Sequence, residues 1–273
     1  MESTNKPLRV AIAGLGAIGK SLATRLSDGV VPGVVLTAVS AKNQEKAKEF
    51  VKTLAYPVKV LSISELEPEA DVVVECAPAE LLGDIIAPFL RAKKKAIVLS
   101  VGAILFKPEL IELAKTTGGT IMVPTGALIG LDAMIAAAEG EIFSVKMVTN
   151  KPPLGLKGAP HLIENNISVD GLTEPLKVFS GNAREAAKGF PANLNVVVAL
   201  ALAGVGPEKT HLEIWADPTV VRNTHTIIVD SDSAKFSMKM ENIPSENPKT
   251  GRIVAQSVVA MLRKMLATFQ VGT

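Results

Sequence analysis

The chain has 273 residues, 48% of them apolar and 21% charged, so a substantial core is attainable and intrinsic disorder is excluded. The charge balance of 29 basic against 27 acidic residues has no basic block denser than Lys93-Lys94-Lys95, which is too even for a nucleic-acid footprint. A single cysteine, Cys76, excludes a disulfide scaffold and a cysteine-rich zinc site, and fits a reducing cytoplasm.

Met1 to Leu8 is polar, so no signal peptide is expected. Apolar runs bounded by turn signals then predict strands at Leu8–Ala13, Val34–Val39, Val58–Leu61, Asp71–Glu75, Ala96–Ser100 and Thr120–Val123. Helical stretches such as Asn43–Leu54 and Pro108–Thr116 lie between them. Near-continuous Val, Ile and Ala at the strand positions point to a parallel sheet covered on both faces.

From about Gly126 the pattern changes. A helix is predicted at Ala127–Ala138 and a strand at Ile142–Thr149, followed by a Pro/Gly-rich connection over 151–160. A strand near Leu176–Phe179, a helix at Asn182–Lys188 and a long apolar segment from Asn193 come next. Strands at Leu212–Ala216, Thr226–Asp230 and Phe236–Glu241 precede a closing helix at Ile253–Phe269. The uncharged run 189–207 has about the length of a membrane span, but its two amides and its bounding prolines fit a buried helix better. The fold class is therefore α/β: a parallel-sheet domain over the first 125 residues, and an open mixed-sheet substrate domain from residue 126.

The segment RVAIAGLGAIGK sets Gly14, Gly16 and Gly19 in GxGxxG spacing between a strand and a helix. Gly14 permits the tight turn, Gly16 lets the backbone approach a pyrophosphate, and Gly19 allows close packing of helix on strand. Ala17 and Ile18 belong to the same turn, whose free N–H groups and partial positive charge suit a phosphate. An NAD-specific site expects an acid about 20 residues on. Here the second strand ends in Ser40-Ala41-Lys42-Asn43, and the nearest acid is Glu45. Ser40, Lys42 and Asn43 suit a 2′-phosphate, so NADP is expected alongside NAD. Cys76 and Ala77 follow a strand that faces the cofactor crevice; a small apolar role accounts for Cys76, with no partner for a nucleophile. No carboxylate–histidine grouping has metal-ligand spacing.

Of the three histidines, His225 starts a strand behind the turn-rich ADPTVVRN, a setting suited to an active-site mouth. His211 reads as a surface histidine, and His161 sits in a loop. Asp217 is either an orienting acceptor for His225 or an ordinary turn-forming Asp-Pro. Lys151, Arg222, Asn223 and Lys249, all assigned to loops, are candidate ligands for anionic substrate groups. Asn195 suits the nicotinamide or the substrate, whereas Asn193 and Asn247 read as helix caps.

VVVECAP (72–78), LSVGAI (99–104), PTGALIGLDA (124–133), KPP (151–153), GFPANLNV (189–196), ADPTVVRNTH (216–225) and ENPKTG (246–251) occur in this order. Together with the glycine turn they resemble the L-aspartate dehydrogenase family along the whole chain. The resemblance implies a homodimeric enzyme that oxidises L-aspartate with NAD or NADP to iminosuccinate, which hydrolyses to oxaloacetate and ammonia. It implies a Rossmann dinucleotide-binding domain formed by 1–125 with 250–273, because the C-terminal helix returns to it, a substrate and dimerisation domain over 126–249, and a role in amino-acid metabolism and NAD biosynthesis. The charge balance and the 189–207 run lead to no expectation of a nucleic-acid or membrane partner. The resemblance places the active-site histidine on His225 and the cofactor contacts on Ala127 and Asn195. Thr125 stands where the family has Ser, and Leu128-Ile129 where it has Ile-Gly. Alternatives that stay open are a related dehydrogenase or imine reductase on another amino acid, a non-catalytic nucleotide-binding sensor, and a partner that hands on iminosuccinate.

Overall fold

A computed structural model describes residues 6–191, 194–244 and 251–272. The chain divides into two compact units, residues 1–124 with 254–270 and residues 125–253 with 271–273.

The first unit alternates strand and helix: β1 (Leu8–Ala13), α1 (Ala17–Ser27), β2 (Val34–Ser40), α2 (Gln44–Val51), β3 (Lys59–Val60), β4 (Val72–Glu75), α3 (Leu82–Arg91), β5 (Lys95–Val98), α4 (Val101–Ile104), α5 (Pro108–Thr117) and β6 (Thr120–Met122). Its six strands form one sheet in the order β3-β2-β1-β4-β5-β6, and every pairing is parallel. The order reverses beside β1, between β2 and β4, which is the switch point where open α/β sheets bind ligands at their carboxyl ends. The strands carry few polar residues because helices bury them on both faces. Val10, Ile12, Val72, Val74 and Ile97 are fully buried in one cluster with Leu22 and Leu26 of α1.

The second unit contains α6 (Leu131–Ala138), β7 (Ile142–Lys151), α7 (Pro160–Glu164), β8 (Leu176–Asn182), α8 (Ala183–Gly189), α9 (Asn195–Ala203), β9 (Thr210–Ala216), β10 (Thr224–Ser231) and β11 (Lys235–Glu241). Five strands form a mixed sheet in the order β11-β10-β7-β9-β8, in which only β7 and β9 run parallel. Helices α8 and α9 pack on β9, and α6 packs on α9. Val145, Met147, Leu212, Ile214, Ile227 and Val229 form the buried face of the sheet.

The final helix, α10 (Ile253–Leu266), returns to the first unit, where Val258, Val259 and Leu262 join the cluster around β1.

Two segments differ from the sequence expectation, and a third, 189–207, contains the buried helix expected of it. Helix α6 starts at Leu131 rather than Ala127, because Gly126 and Gly130 adopt left-handed φ values of 61° and 71° and hold 126–130 in turns. The connection after β7 contains a short 3-10 turn and α7, which starts at Pro160, a position where a missing N–H costs nothing. Within 189–207 the helix α9 spans nine residues, about 14 Å by helical rise. No helix among the described residues is long and apolar enough to cross a membrane.

Candidate active site

In the first unit the glycine turn opens onto a groove of about 1470 Å3 at the carboxyl ends of β1, β2 and β4. Its walls bring together Gly14, Gly16, Ser40, Lys42, Cys76 and Ala77. Ala17, Ile18 and Gly19 sit in the first turn of α1 without lining the groove. The three glycines separate by geometry. Gly14 has φ +105°, and a side chain there would collide with the Cys76 carbonyl; a methyl group on Gly19 would land on the Gly14 carbonyl oxygen. Gly16 is exposed and has nothing within 4 Å of where its Cβ would stand. It is also the N-cap of α1, and no side chain caps that end. The turn thus leaves helix N–H groups facing open space, an arrangement that receives a phosphate.

Ser40 is buried at the end of β2, and its carbonyl accepts the Gly14 amide at 2.7 Å. Lys42 is exposed on the groove wall. Asn43 uses its side-chain oxygen to cap α2 through the Lys46 amide at 2.9 Å, which makes that oxygen structural. Below Cys76 lies a residue that sequence reading passed over. Glu75 is fully buried and accepts from the Ala77 amide, the Leu99 amide, the Ser100 amide and the Ser100 hydroxyl at 2.8–3.1 Å. Burial raises its pKa, and these four bonds oppose the rise by favouring the carboxylate. Glu75 therefore ties together the loops after β4 and β5, the first of which lines the groove at Cys76, Ala77 and Pro78. The Cys76 thiol is pushed upward by burial and by Glu75, so it stays protonated.

The second unit carries the other constellation at one end of its sheet. Side chains alternate along a strand, so Val145, Met147, Thr149 and Lys151 of β7 share one face, opposite Val229, Ile227 and His225 of β10. That face is apolar for most of its length and turns polar at the Thr149–His225 pair. Lys151 and His225 are each only 4% exposed. Nδ1 of His225 lies 3.1 Å from the Thr149 hydroxyl. Burial, assisted by the Lys151 charge, pushes the imidazole down to about 3, so it is neutral near pH 7. Burial likewise pushes the Lys151 ammonium down to about 8.

Two expectations change here. Lys151 is not on a loop; it is the last residue of β7, and its carbonyl accepts the Asp217 amide at 2.8 Å. Asp217 does not orient His225: its carboxylate accepts from Asn150 at 2.9 Å and from the amide and hydroxyl of Thr219. Burial works against ionisation of Asp217, but these bonds outweigh it and leave its pKa below the usual carboxylate range. The partner of the imidazole is Thr149. Its position directly across from His225 depends on strand register, which the sequence does not display.

Asn195 is the first residue of α9, and Asn223 sits half-buried just before β10, its carbonyl accepting the Asn242 amide at 2.9 Å. Ala127 is half-buried in the turn before α6, where its carbonyl accepts from the Asn242 side chain at 3.0 Å. Asn242 is a further residue missed from sequence; it is buried, and its side-chain oxygen has no partner among the described residues. Lys249, Asn193 and Asn247 lie outside the described residues. No metal-binding group of His, Cys, Asp or Glu occurs among the described residues.

Comparison with known proteins gives these features a family. Residues 14–124 match the NAD binding domain of homoserine dehydrogenase, and residues 132–265 match the aspartate dehydrogenase C-terminal family. The chain is 61% identical over 271 residues to L-aspartate dehydrogenase 3 of Bordetella bronchiseptica, covering 99% of this chain and 100% of that one. It is 57% identical over 272 residues to L-aspartate dehydrogenase of Bradyrhizobium diazoefficiens, covering 100% and 96%. The chain belongs to the L-aspartate dehydrogenase family. Among solved structures, aspartate dehydrogenase of Thermotoga maritima superposes with a TM-score of 0.75 at 25% identity, covering 97% of this chain and 99% of that one. The L-aspartate dehydrogenase C-terminal match takes in β7, α9 and β10, so it spans Lys151, Asn195 and His225. The NAD-binding match begins at Gly14.

Proposed function

We propose that this protein is an L-aspartate dehydrogenase that oxidises L-aspartate to iminosuccinate with NAD or NADP and also runs in reverse. The observation that carries the reading is the buried His225–Thr149 pair beside Lys151 in a chain of this family.

The groove of the first unit fits a dinucleotide. Gly16 offers the room that a Cβ would fill, and the uncapped start of α1 offers N–H donors to a pyrophosphate. Gly14, Ala17, Ile18 and Gly19 shape that turn, Cys76 and Ala77 line the groove beside it, and Ala127 and Asn195 are the family's remaining contacts. Bound there, the nicotinamide would take up the electron pair and hydrogen that leave the substrate Cα. No acid stands at the end of β2, and Ser40 and Lys42 give a 2′-phosphate a hydroxyl and a cation, so NADP is accepted.

His225 is held uncharged by burial, with one ring nitrogen engaged by Thr149. Its other nitrogen is left to hydrogen-bond the substrate amine during oxidation and the water that attacks the imine afterwards. Asn223 and Lys249 are the groups for the substrate carboxylates. The second unit then serves substrate binding and dimerisation, in a cytoplasmic homodimer that supplies iminosuccinate to NAD biosynthesis.

The test is absorbance of the reduced nicotinamide with L-aspartate, L-glutamate, L-alanine and L-malate, each with NAD and with NADP. Turnover on L-aspartate alone is expected. Silence on L-aspartate with cofactor binding intact would overturn the reading. A sedimentation measurement that returned a monomer would remove the dimer.

A further inference from the structure

We propose that Lys151 is the proton acceptor of the site, taking a proton from the substrate ammonium, while His225 beside it orients the amine. The inference deepens the dehydrogenase reading and rests on it.

The geometry begins with the alternation of β7. Thr149 and Lys151 project from the same face two residues apart, and His225 stands across from Thr149 on β10. All three are about 96% removed from solvent or close to it, with exposures of 4% each. A lysine is rarely placed so deep, and its ammonium is a compact, strongly hydrated charge that loses protons readily once water is removed. Burial brings Lys151 to about 8, close to neutrality, whereas His225 at about 3 is far too weak a base to deprotonate an aliphatic ammonium. Of the two groups, only the lysine shuttles between its forms near neutrality.

The other charged groups leave this assignment in place. Asp217, at the end of β9, directs its carboxylate to Thr219 and to Asn150, whose side chain leaves β7 on the opposite face from Lys151. Helix α9 on β9 carries no ionisable side chain, and Glu185 of α8 is engaged in a capping box with Asn182. Among the described residues, His225 is a titratable neighbour that senses the Lys151 charge, and that charge lowers the proton affinity of the imidazole.

The step balances as follows. The neutral Nζ of Lys151 accepts a proton from the substrate –NH3+, giving –NH2 and a lysine ammonium. The amine lone pair would then form the C=N bond as the Cα–H bond breaks, and a bound oxidised nicotinamide would supply the acceptor for that hydrogen and its electron pair. The lysine proton afterwards passes to water.

The experiment combines kinetics with a measurement that needs no turnover. In the wild-type protein, kcat/KM for L-aspartate oxidation should rise with unit slope through a midpoint near 8. Lys151→Ala should lose at least 1000-fold in kcat along with that limb, and added ethylamine should restore activity at least tenfold, more strongly with more basic amines. Lys151→Arg keeps the charge but cannot titrate, so it should remain as slow as Lys151→Ala. Independently, 15N NMR of the imidazoles in Lys151→Met without substrate should show His225 titrating at higher pH than in wild type. Wild-type turnover with Lys151→Arg retaining a third of kcat and an unchanged pH limb would make Lys151 a fixed cation and overturn this proposal alone. Absence of amine rescue together with an unmoved His225 would also overturn it. Wild-type silence on L-aspartate with intact cofactor binding would overturn the dehydrogenase reading, and this proposal with it.

Discussion

The glycine turn gives a test in which stability and binding should separate. Gly16→Val adds a side chain where nothing lies within 4 Å, so the fold should lose no more than about 1 kcal/mol, the usual range for a poor N-cap residue. The same side chain occupies the space in front of the α1 amides. If it costs the pyrophosphate two charge-assisted hydrogen bonds at ~1.5–3 kcal/mol each, affinity should fall by about 3–6 kcal/mol, roughly 150-fold to 20,000-fold. Gly14→Ala should behave in the opposite way. At φ +105° a methyl group meets the Cys76 backbone, and left-handed strain of ~1–2 kcal/mol adds to overpacking of ~1–3 kcal/mol. At roughly 2–4 °C per kcal/mol, the transition of the first unit should drop by about 4–20 °C. Differential scanning calorimetry and titration of reduced-nicotinamide fluorescence on the same samples provide both numbers. The reasoning fails if Gly16→Val binds cofactor like wild type, or if Gly14→Ala melts at the wild-type temperature.

Further outcomes concern the buried base pair and the cofactor wall. His225 has a folded pKa of about 3 against ~6.5 unfolded, so its stabilisation is complete above the unfolded value and is lost as pH falls. Between pH 7 and pH 5 wild type should lose about 2 kcal/mol more than His225→Gln in urea denaturation; equal losses would mean the ring is not held neutral. Lys151 is lowered to about 8 from ~10.4, so the fold disfavours its charged form, by about 3 kcal/mol at pH 7 and by nothing well above the unfolded value. Lys151→Met should accordingly stabilise the ligand-free protein at pH 7 by up to that amount, with the gain vanishing towards pH 10.5, and a destabilised variant would contradict this. Thr149→Val should reduce kcat about tenfold with unchanged cofactor affinity, and full activity would remove the hydroxyl from the site. Ser40→Asp should shift preference from NADP to NAD by like-charge repulsion, read from the ratio of kcat/KM values; an unchanged ratio would move the 2′-phosphate elsewhere.

The sequence displays the Rossmann half of this protein well, because parallel strands buried on both faces are written as unbroken apolar runs such as Val72–Val74 next to polar helices. The glycine turn is equally legible, but the division of labour among its glycines is not. That division depends on the Cys76 backbone approaching Gly14, a contact 62 residues away in the chain. Strand β7 was predicted to stop at Thr149, since Thr149-Asn150-Lys151 ahead of two prolines resembles the start of a loop. The structure continues the strand because Asp217 bonds to the Lys151 backbone and Asn150 to the Asp217 side chain, both long-range contacts. That two-residue difference turns Lys151 from a surface cation into a buried one. Glu75 was hidden for a related reason: a carboxylate ending a strand looks like an ordinary solvated charge until the loop bearing Ser100 is brought over it.

The return of α10 to the first unit makes that unit discontinuous in the chain, and this constrains how it is made. Val258, Val259 and Leu262 are part of the cluster around β1, and at ~1.5–3 kcal/mol per buried side chain they contribute an amount comparable to the whole stability of a typical domain. A ribosome adding ~5–20 residues per second needs roughly 7–30 s to travel from the end of β6 to Leu262. Throughout that interval the emerging cofactor half has an uncovered apolar flank, so the nascent chain is exposed to aggregation and to chaperone capture until α10 has emerged. A fragment cut after β6 inherits the same open flank permanently, and a nucleotide-binding module taken from this protein needs α10 grafted back through a linker.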